Sequence, residues 1–237
     1  MNGAARRPVR GDRVLVIAPH PDDETIAAGG LIGSAVDAGA GVRLVVVTDG
    51  NRRGLGWLRD AELAEAVTAL GLEPHSVVRQ NHRDGSPGST LFPELQEEAR
   101  RFEPTIVVAP HPADRHSDHR LIGRAAEDLD LPASCALYQY LVHFPGFPRP
   151  RRLSPRRSLE APDALGAEAD WSALPVPLHL LQRKFRALCA HRSQLMNPWL
   201  TRLLLSFVRR NELFRVLAGD QRANRGYETP WYRGGRT

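Results

Sequence analysis

Short apolar runs alternate with segments of helical periodicity from residue 14 to residue 142. Five runs are apolar enough to form buried strands, at 14–17, 43–48, 76–79, 105–109 and 136–142. Between them, apolar residues recur on one helical face at 24–38, 58–70, 91–102 and 120–129. Strands that alternate with helices of this length are typical of βαβ units. The pattern predicts a Rossmann-like α/β fold, with a mostly parallel sheet flanked by helices.

The alternation ends near residue 144. Residues 144–177 are rich in proline and arginine, and a segment of this kind is either an ordered loop covering the functional site or a disordered insert. Helical periodicity returns at 178–194 and 199–208, which predicts a helical C-terminal extension. The last stretch, 222–237, is expected to be poorly ordered.

We interpret the whole chain, 1–237, as a single domain. Its core is predicted at about 12–194, followed by C-terminal helices and a tail at 195–237. With 42% hydrophobic and 25% charged residues, the composition is ordinary for a globular protein.

Cysteine usage and the N-terminus bear on the compartment. Cys135 and Cys189 are far apart in apolar surroundings, so a disulfide framework is not expected. The basic N-terminal residues precede no apolar segment of signal-peptide length, and no membrane span is visible. These features predict a cytoplasmic protein.

The chain carries a net charge of +5, and all but one of its basic residues, Lys184, are arginines. Nucleic-acid binding is one reading of this charge, and a coding bias toward arginine is the other. The arginines are dispersed and lack interleaved aromatic residues, which favours the second reading. We therefore expect no nucleic-acid partner.

Two loops concentrate histidines and acids, each directly after a predicted strand. The sequence Ala-Pro-His-Pro-Asp-Asp-Glu occupies 18–24, and His-Pro-Ala-Asp-Arg-His-Ser-Asp-His occupies 111–119. Open α/β sheets place ligand sites at the carboxyl ends of their strands, where two such loops can face each other. The pattern indicates a metal site that activates water.

These motifs resemble those of the PIG-L/LmbE-like de-N-acetylases, zinc enzymes that remove acetyl from N-acetylglucosaminyl groups. Residues 19–24 match the family's His-Pro-Asp-Asp-Glu motif, and 116–119 match its His-x-Asp-His motif. A less specific third match covers 184–194, with its terminal His-x-Ser-Gln. The resemblance spans roughly 12–194. It implies a metal-dependent hydrolase that removes the acetyl group from an amino-sugar moiety of a larger conjugate.

The resemblance implies that His20, Asp23 and His119 bind the metal, which is zinc or another divalent ion such as Fe2+. Hydrolytic zinc sites keep three protein ligands and an open position for water. The two-residue spacing lets His20 and Asp23 converge on one point, whereas the alternative has His20 cap the next helix or pack against Pro21. Asp22 is the family's general base, and its alternative role is a helix N-cap.

The resemblance also assigns roles to the second loop. His116 is expected to stabilise the oxyanion and protonate the leaving amine, with Asp118 orienting it or raising its pKa. Asp118 alternatively caps the following helix. His111 is interpreted as a loop residue rather than a fourth ligand. Asp114 and Arg115 stand where relatives carry a substrate-stabilising group, so that function stays open.

Substrate contacts are predicted for Arg59 and Asp84, which resemble a recurrent arginine and a sugar-binding aspartate of the family. Solvated surface charges are the alternative for both. Glu24 either has a purely structural role in the first turn of the helix or holds a metal-binding side chain in place. The remaining polar residues of the third match, Lys184, His191 and Gln194, share a helical face and are interpreted as a buried packing set.

Other functions keep the same motifs. A hydrolase of another amide or acyl group would use the same metal site, and a non-catalytic protein that binds a sugar conjugate would keep the fold. A nucleotide-binding module is disfavoured because no Gly-x-Gly-x-x-Gly follows the first strand.

The partner is expected to be a small amino-sugar conjugate. The apolar helix near 199–210 is expected to pack on the domain, with membrane-surface binding as the alternative.

Overall fold

The computed structural model describes residues 4–165 and 171–218. Its centre is a seven-stranded sheet. The strands are β1 (Arg13–Ala18), β2 (Gly41–Thr48), β3 (Val77–His82), β4 (Ile106–Pro110), β5 (Ala136–Tyr140), β6 (Trp171–Pro175) and β7 (Asn211–Leu217). They lie in the order β3-β2-β1-β4-β5-β7-β6. The first five strands are parallel, while β7 runs antiparallel to both β5 and β6.

Helices cover both faces of this sheet. They are α1 (Asp23–Asp37), α2 (Gly56–Leu70), α3 (Leu91–Phe102), α4 (Ser117–Glu127), α5 (Leu178–Ala190), α6 (Arg192–Leu195) and α7 (Pro198–Leu205). Short 3₁₀ turns lie at Pro74–Ser76 and Asp163–Leu165. None of the helices among the described residues is both long enough and apolar enough to cross a bilayer.

The central strands are buried on both sides, as parallel strands between helical layers are. In β1, Val14 and Val16 belong to the apolar cluster under α1, α2, α5 and α7. Leu15 and Ile17 point the other way, into the cluster under α3 and α4. The continuous apolar run that predicted a buried strand therefore reflects two separate cores, one on each face of the sheet.

The predicted fold class is confirmed, and every predicted strand and helix of the first half appears within a few residues of its expected bounds. The helical extension is present as α5, α6 and α7. Two strands were not predicted: β6, within the segment 144–177 that was expected to be a loop or an insert, and β7, which follows the helical extension. Charged Glu212 and Arg215 interrupt the apolar pattern of that strand. The stretch 222–237 lies outside the described residues.

The segment after β5 has little regular structure but is anchored to the core. Phe147 packs edge-on against Phe207, with ring centroids 5.7 Å apart. The backbone N–H of Leu159 donates to Asn211 Oδ1 at 2.7 Å. In its described part, the segment is thus attached to the core, which speaks against a disordered insert; none of the described residues of 144–177 lines the active-site cavity.

The strand order creates a switch point beside β1. From β1 the chain proceeds outward to β2 and β3, then returns to the other side of β1 as β4. At such a point the loops after two neighbouring strands diverge and leave a crevice at the carboxyl edge. The loops 19–22 and 111–116 follow β1 and β4, so the fold itself brings the two motifs together.

Candidate active site

Three predicted ligands meet in the crevice between β1 and β4. One carboxylate oxygen, Asp23 Oδ2, lies 3.1 Å from His20 Nδ1 and 3.1 Å from His119 Nε2. All three residues are buried. His20 and Asp23 bracket the turn into α1, while His119 stands in the first turn of α4. The local spacing and the strand order together produce this convergence.

The crevice holds several potential metal groups, each of which includes at most two of the three predicted ligands. Potential ligand atoms within 4.8 Å of one another occur in the groups His20–His116–His119, Asp23–His119–His143 and His20–Asp84–Asp118. Among the described residues, neither ring nitrogen of His119 has a hydrogen-bond partner, although its Nε2 lies close to Asp23. Buried imidazole nitrogens without hydrogen bonds are rare, and a metal ion would occupy one of them.

The outward nitrogens of the two imidazoles face carboxylates. His20 Nε2 lies 3.2 Å from Asp118 Oδ2, and His119 Nδ1 lies 3.4 Å from Asp114 Oδ2. Metal-binding histidines commonly donate their second N–H to a carboxylate, which fixes the tautomer and the ring orientation. Asp118 was expected to orient His116 or to raise its pKa. Its carboxylate lies against His20 rather than His116. Burial lowers the pKa of His116, although the charge of Asp118 opposes that shift.

The crevice favours positive charge beside Asp23. Burial alone would lower the pKa of His119, but the nearby carboxylates of Asp23 and Asp114 raise it to about 9. Burial would raise the pKa of Asp23, yet His119 and His20 hold it well below its ordinary value. A protonated imidazole and a metal cation would therefore compete for the same negatively charged oxygen.

Asp22 enters the same cavity from a strained backbone position. Its φ is 138°, a conformation that costs a non-glycine residue of order 1–3 kcal/mol. Its Oδ2 lies 3.1 Å from Arg59 Nη2. Asp22 occupies the N-cap position of α1, but its side chain makes no capping hydrogen bond, so the capping alternative is wrong. Burial raises the pKa of Asp22 to about 6, with Arg59 opposing the shift.

Arg59 is 8% exposed and is not the solvated surface charge that was the alternative. Besides Asp22, its guanidinium donates to Pro21 O at 2.6 Å and to Gly50 O at 3.2 Å. Asp84 also lines the cavity, with Oδ1 3.5 Å from His20 Nε2. Both predicted substrate residues therefore lie at the site.

His116 borders the cavity beside the convergence point. Its ring centroid lies 4.8 Å from that of His20 and 5.2 Å from that of His119. Its Nδ1 accepts a hydrogen bond from the backbone N–H of Asp118, so His116 caps α4. Burial lowers the pKa of His116, and the neighbouring His119 and His20 lower it further.

His143 is a site residue that the sequence analysis missed. Its ring centroid lies 5.1 Å from that of His119 and 5.5 Å from that of His116. It follows β5 without any recognisable motif, so only its position after a strand of the parallel sheet could have drawn attention to it. Burial, together with His119, lowers the pKa of His143 to about 4.

Asp114 organises the second loop from within. It is 0% exposed, and its carboxylate accepts the backbone N–H groups of His116, Val142 and His143 at 2.9–3.0 Å. His111 points away, with Nε2 3.2 Å from Arg215, and belongs to none of the potential metal groups among the described residues. His111 therefore belongs to the loop after β4, as predicted.

The cavity has a volume of about 220 Å³. Its polar lining includes His20, Asp22, Asp23, Asp84, His116 and His143. Arg52 and Arg53, on the loop before α2, also line it. Leu200, Leu203 and Leu204 of α7 contribute apolar lining. Leu203 and Leu204 are almost fully buried, so α7 packs on the domain as expected.

Comparison with known proteins agrees with these motifs. Residues 15–129 match the family described as PIG-L, GlcNAc-PI de-N-acetylase. A 1D-myo-inositol 2-acetamido-2-deoxy-alpha-D-glucopyranoside deacetylase from Mycobacterium sp. (strain KMS) is 33% identical over 114 residues, 41% of this chain and 35% of that protein. A probable N-acetyl-alpha-D-glucosaminyl L-malate deacetylase 2 from Bacillus cereus is 31% identical over 133 residues, 47% of this chain and 58% of that protein.

The match thus covers about a third of the mycobacterial relative and somewhat more than half of the Bacillus relative. Among solved structures, N,N'-diacetylchitobiose deacetylase from Pyrococcus horikoshii aligns with a TM-score of 0.67 at 22% identity, covering 94% of this chain and 88% of that chain. At this identity the likeness concerns the fold. Both motifs lie within residues 15–129, the part of the chain that is similar to the PIG-L family, and each stands at the carboxyl edge of the sheet.

Proposed function

We propose that this protein is a metal-dependent hydrolase that removes the acetyl group from an N-acetylglucosaminyl moiety of a larger conjugate. The observation that carries the proposal is the Asp23 oxygen lying 3.1 Å from both His20 Nδ1 and His119 Nε2, in a cavity that also receives Asp22. The names of the mycobacterial and Bacillus relatives, both deacetylases of N-acetylglucosaminyl compounds, support it.

His20, Asp23 and His119 would hold a zinc ion. When bound, such an ion polarises the acetamide carbonyl and lowers the pKa of a bound water to about 7. The Asp118 carboxylate, 3.2 Å from His20 Nε2, keeps that ring oriented, and the charge of the Asp114 carboxylate lies 3.4 Å from His119 Nδ1. This arrangement leaves the inward nitrogens free to bind.

Asp22 acts as the general base. Its carboxylate takes a proton from the attacking water as the new C–O bond forms at the acetamide carbon. Arg59, at 3.1 Å, holds the carboxylate in place and favours its ionised form. A positioned base of this kind contributes roughly 10²–10⁴-fold to the rate.

His116 stabilises the tetrahedral oxyanion that precedes the departure of the amine. It donates a hydrogen bond to the carbonyl oxygen as negative charge develops there, and a proton must reach the amine nitrogen before the C–N bond breaks. Acetate and a free amino sugar then depart. His143, whose ring lies 5.5 Å from that of His116, borders the same space and is a second imidazole available for substrate contact.

The walls of the cavity indicate a conjugate rather than a free sugar. Arg59 and Asp84 lie where sugar hydroxyl groups would be contacted, close to the metal group. Arg52 and Arg53 and the leucines of α7 line the same cavity. Such a lining suits an attached group with both an anionic and an apolar part.

The test is a panel of N-acetylglucosaminyl conjugates, with neutral inositol, anionic malate and chitobiose attachments, alongside N-acyl amino acids. Release of acetate and a primary amine from at least one sugar conjugate, abolished by chelator, supports the proposal. Cleavage confined to the N-acyl amino acids would assign the site to another amide. Binding of sugar conjugates without turnover by the zinc-loaded protein would make it a binding protein.

A further inference from the structure

The direction of the Asp22 side chain depends on a backbone conformation that the residue would not adopt by itself. Its φ of 138° lies in the region that L-residues avoid because Cβ crowds the backbone. Rotation about the N–Cα bond swings Cβ and the carboxylate together. The surroundings of Asp22 therefore decide whether its carboxylate points into the cavity.

Glu24 holds the backbone of Asp22 from the side opposite the cavity. The N–H of Asp22 donates to Glu24 Oε2 at 3.0 Å, while Glu24 Oε1 accepts from Thr25 Oγ1 at 2.6 Å. Glu24 is 0% exposed and is not among the residues that line the cavity. Its carboxylate cannot touch substrate and instead acts on the turn.

His191 stands behind Glu24. Its Nε2 lies 3.3 Å from Glu24 Oε1, and the residue is fully buried at the junction of α5 and α6. The next turn is fastened to α2, because Ser193 donates through both its N–H and its Oγ to Glu62 at 2.7 Å. The position of His191 is therefore set by helices rather than by a loose loop.

Two clamps meet at Asp22. Arg59 of α2 holds the carboxylate, and Glu24 holds the N–H with His191 as its own partner. His191 lies beyond residues 15–129, the part that matches the family. This explains what the helical extension adds to the site: it supplies the last link that fixes the conformation of Asp22.

We propose that Glu24 and His191 are positioning residues that hold Asp22 in its strained conformation, so that its carboxylate points into the cavity. The inference rests on the proposed function, in which Asp22 is the base. It goes beyond that function by giving a role to two buried residues that contact neither substrate nor metal.

The test combines kinetics with a structure. Glu24→Ala should lower kcat by about 10- to 100-fold, the effect of a catalytic group displaced by about 1 Å, while KM and zinc content stay unchanged. Glu24→Gln keeps an oxygen for the Asp22 N–H and should lose less. In an Asp22→Asn background, Glu24→Ala should cost little more, because the group it positions is already disabled. A crystal structure of Glu24→Ala should show Asp22 away from φ 138°.

Asp12→Ala is the matched control. Asp12 is likewise buried, accepts a backbone N–H and a threonine hydroxyl and pairs with a cation, but it precedes β1 at the opposite edge of the sheet. It should lower stability and leave kcat unchanged. His191→Ala leaves Glu24 in place and carries the same test should Glu24→Ala fail to fold.

Three results would overturn the inference: full kcat in folded Glu24→Ala, an undiminished penalty in the Asp22→Asn background, or an unchanged Asp22 conformation in the variant. Absence of acetate release by the wild-type protein would instead reject the proposed function. In that case the crystal structure of the variant still decides whether Glu24 sets the conformation of Asp22.

Discussion

Lys184 Nζ lies 2.6 Å from Glu212 Oε1, and both side chains are 1% exposed. The chain's single lysine thus pairs with an acid on a strand that the sequence analysis missed. Glu212 also accepts the N–H groups of Gly30 and Leu31, in the middle of α1. One buried carboxylate therefore joins α5, β7 and α1, the helix that begins at Asp23.

Removing one partner of this pair should be costly. Lys184→Ala leaves an uncompensated buried carboxylate, so we expect a loss of about 3–5 kcal/mol in the free energy of unfolding, measured by urea denaturation. The double variant Lys184→Met/Glu212→Gln leaves no buried charge and should lose less. A single variant as stable as the wild type would contradict a structural role for the pair.

The ligand assignment predicts metal loss from three single variants. His20→Ala, Asp23→Ala and His119→Ala should each bind far less zinc than the wild-type protein, as measured by elemental analysis after dialysis. His111→Ala is the control, since that histidine belongs to the same loop but faces Arg215, and it should keep its zinc. Undiminished zinc in His119→Ala would remove His119 from the ligand set.

A substitution of Asp22 should lower turnover without releasing the metal. Asp22→Asn preserves shape but cannot accept the proton, so we expect kcat to fall by roughly 10²–10⁴-fold with zinc retained. Turnover and zinc content are measured on the same preparation. Loss of zinc in Asp22→Asn would place this carboxylate among the ligands instead.

The contacts of Asp12, just before β1, predict how the free energy of unfolding depends on pH. The side chain of Arg6, the backbone N–H of Val9 and the hydroxyl of Thr105 hold the pKa of Asp12 below its ordinary value. A depressed folded-state pKa stabilises the fold above the unfolded-state pKa of about 3.9, and the contribution is lost as pH falls through the folded-state pKa. Asp12→Asn should therefore cost roughly 1–3 kcal/mol at pH 7. The cost should shrink below about pH 4, where Asp12 of the unfolded chain begins to protonate while Asp12 of the folded protein stays ionised. An equal cost in urea titrations at pH 7 and pH 3 would contradict this sign.

The sequence predicted the sheet and the convergence of the two motifs because both depend on local patterns. Apolar runs fix the strands of a parallel sheet, and motifs placed directly after strands must share its carboxyl edge. His20, Asp23 and His119 were found in this way. Arg59 and Asp84 were predicted at the site by a different route, their resemblance to family residues, which no local pattern supplied.

The remaining features depend on contacts between distant parts of the chain. His143 follows a strand but lies in no motif, so only the folded chain shows it beside His119. The contact of Asp118 with His20 rather than His116 depends on how α4 is set against β1. β7 was missed because its charged residue, Glu212, is satisfied by a partner 28 positions earlier, Lys184. A local pattern carries none of this information.

We propose that one metal ion at His20, Asp23 and His119 enables acetyl removal. A zinc titration of the metal-free protein tests this directly when acetate and amine release from an N-acetylglucosaminyl conjugate are followed at each step. We expect no activity without metal, a linear rise that saturates at one zinc per chain, and equal amounts of acetate and amine. Turnover that is independent of zinc, or no acetate release at full zinc occupancy, would contradict it.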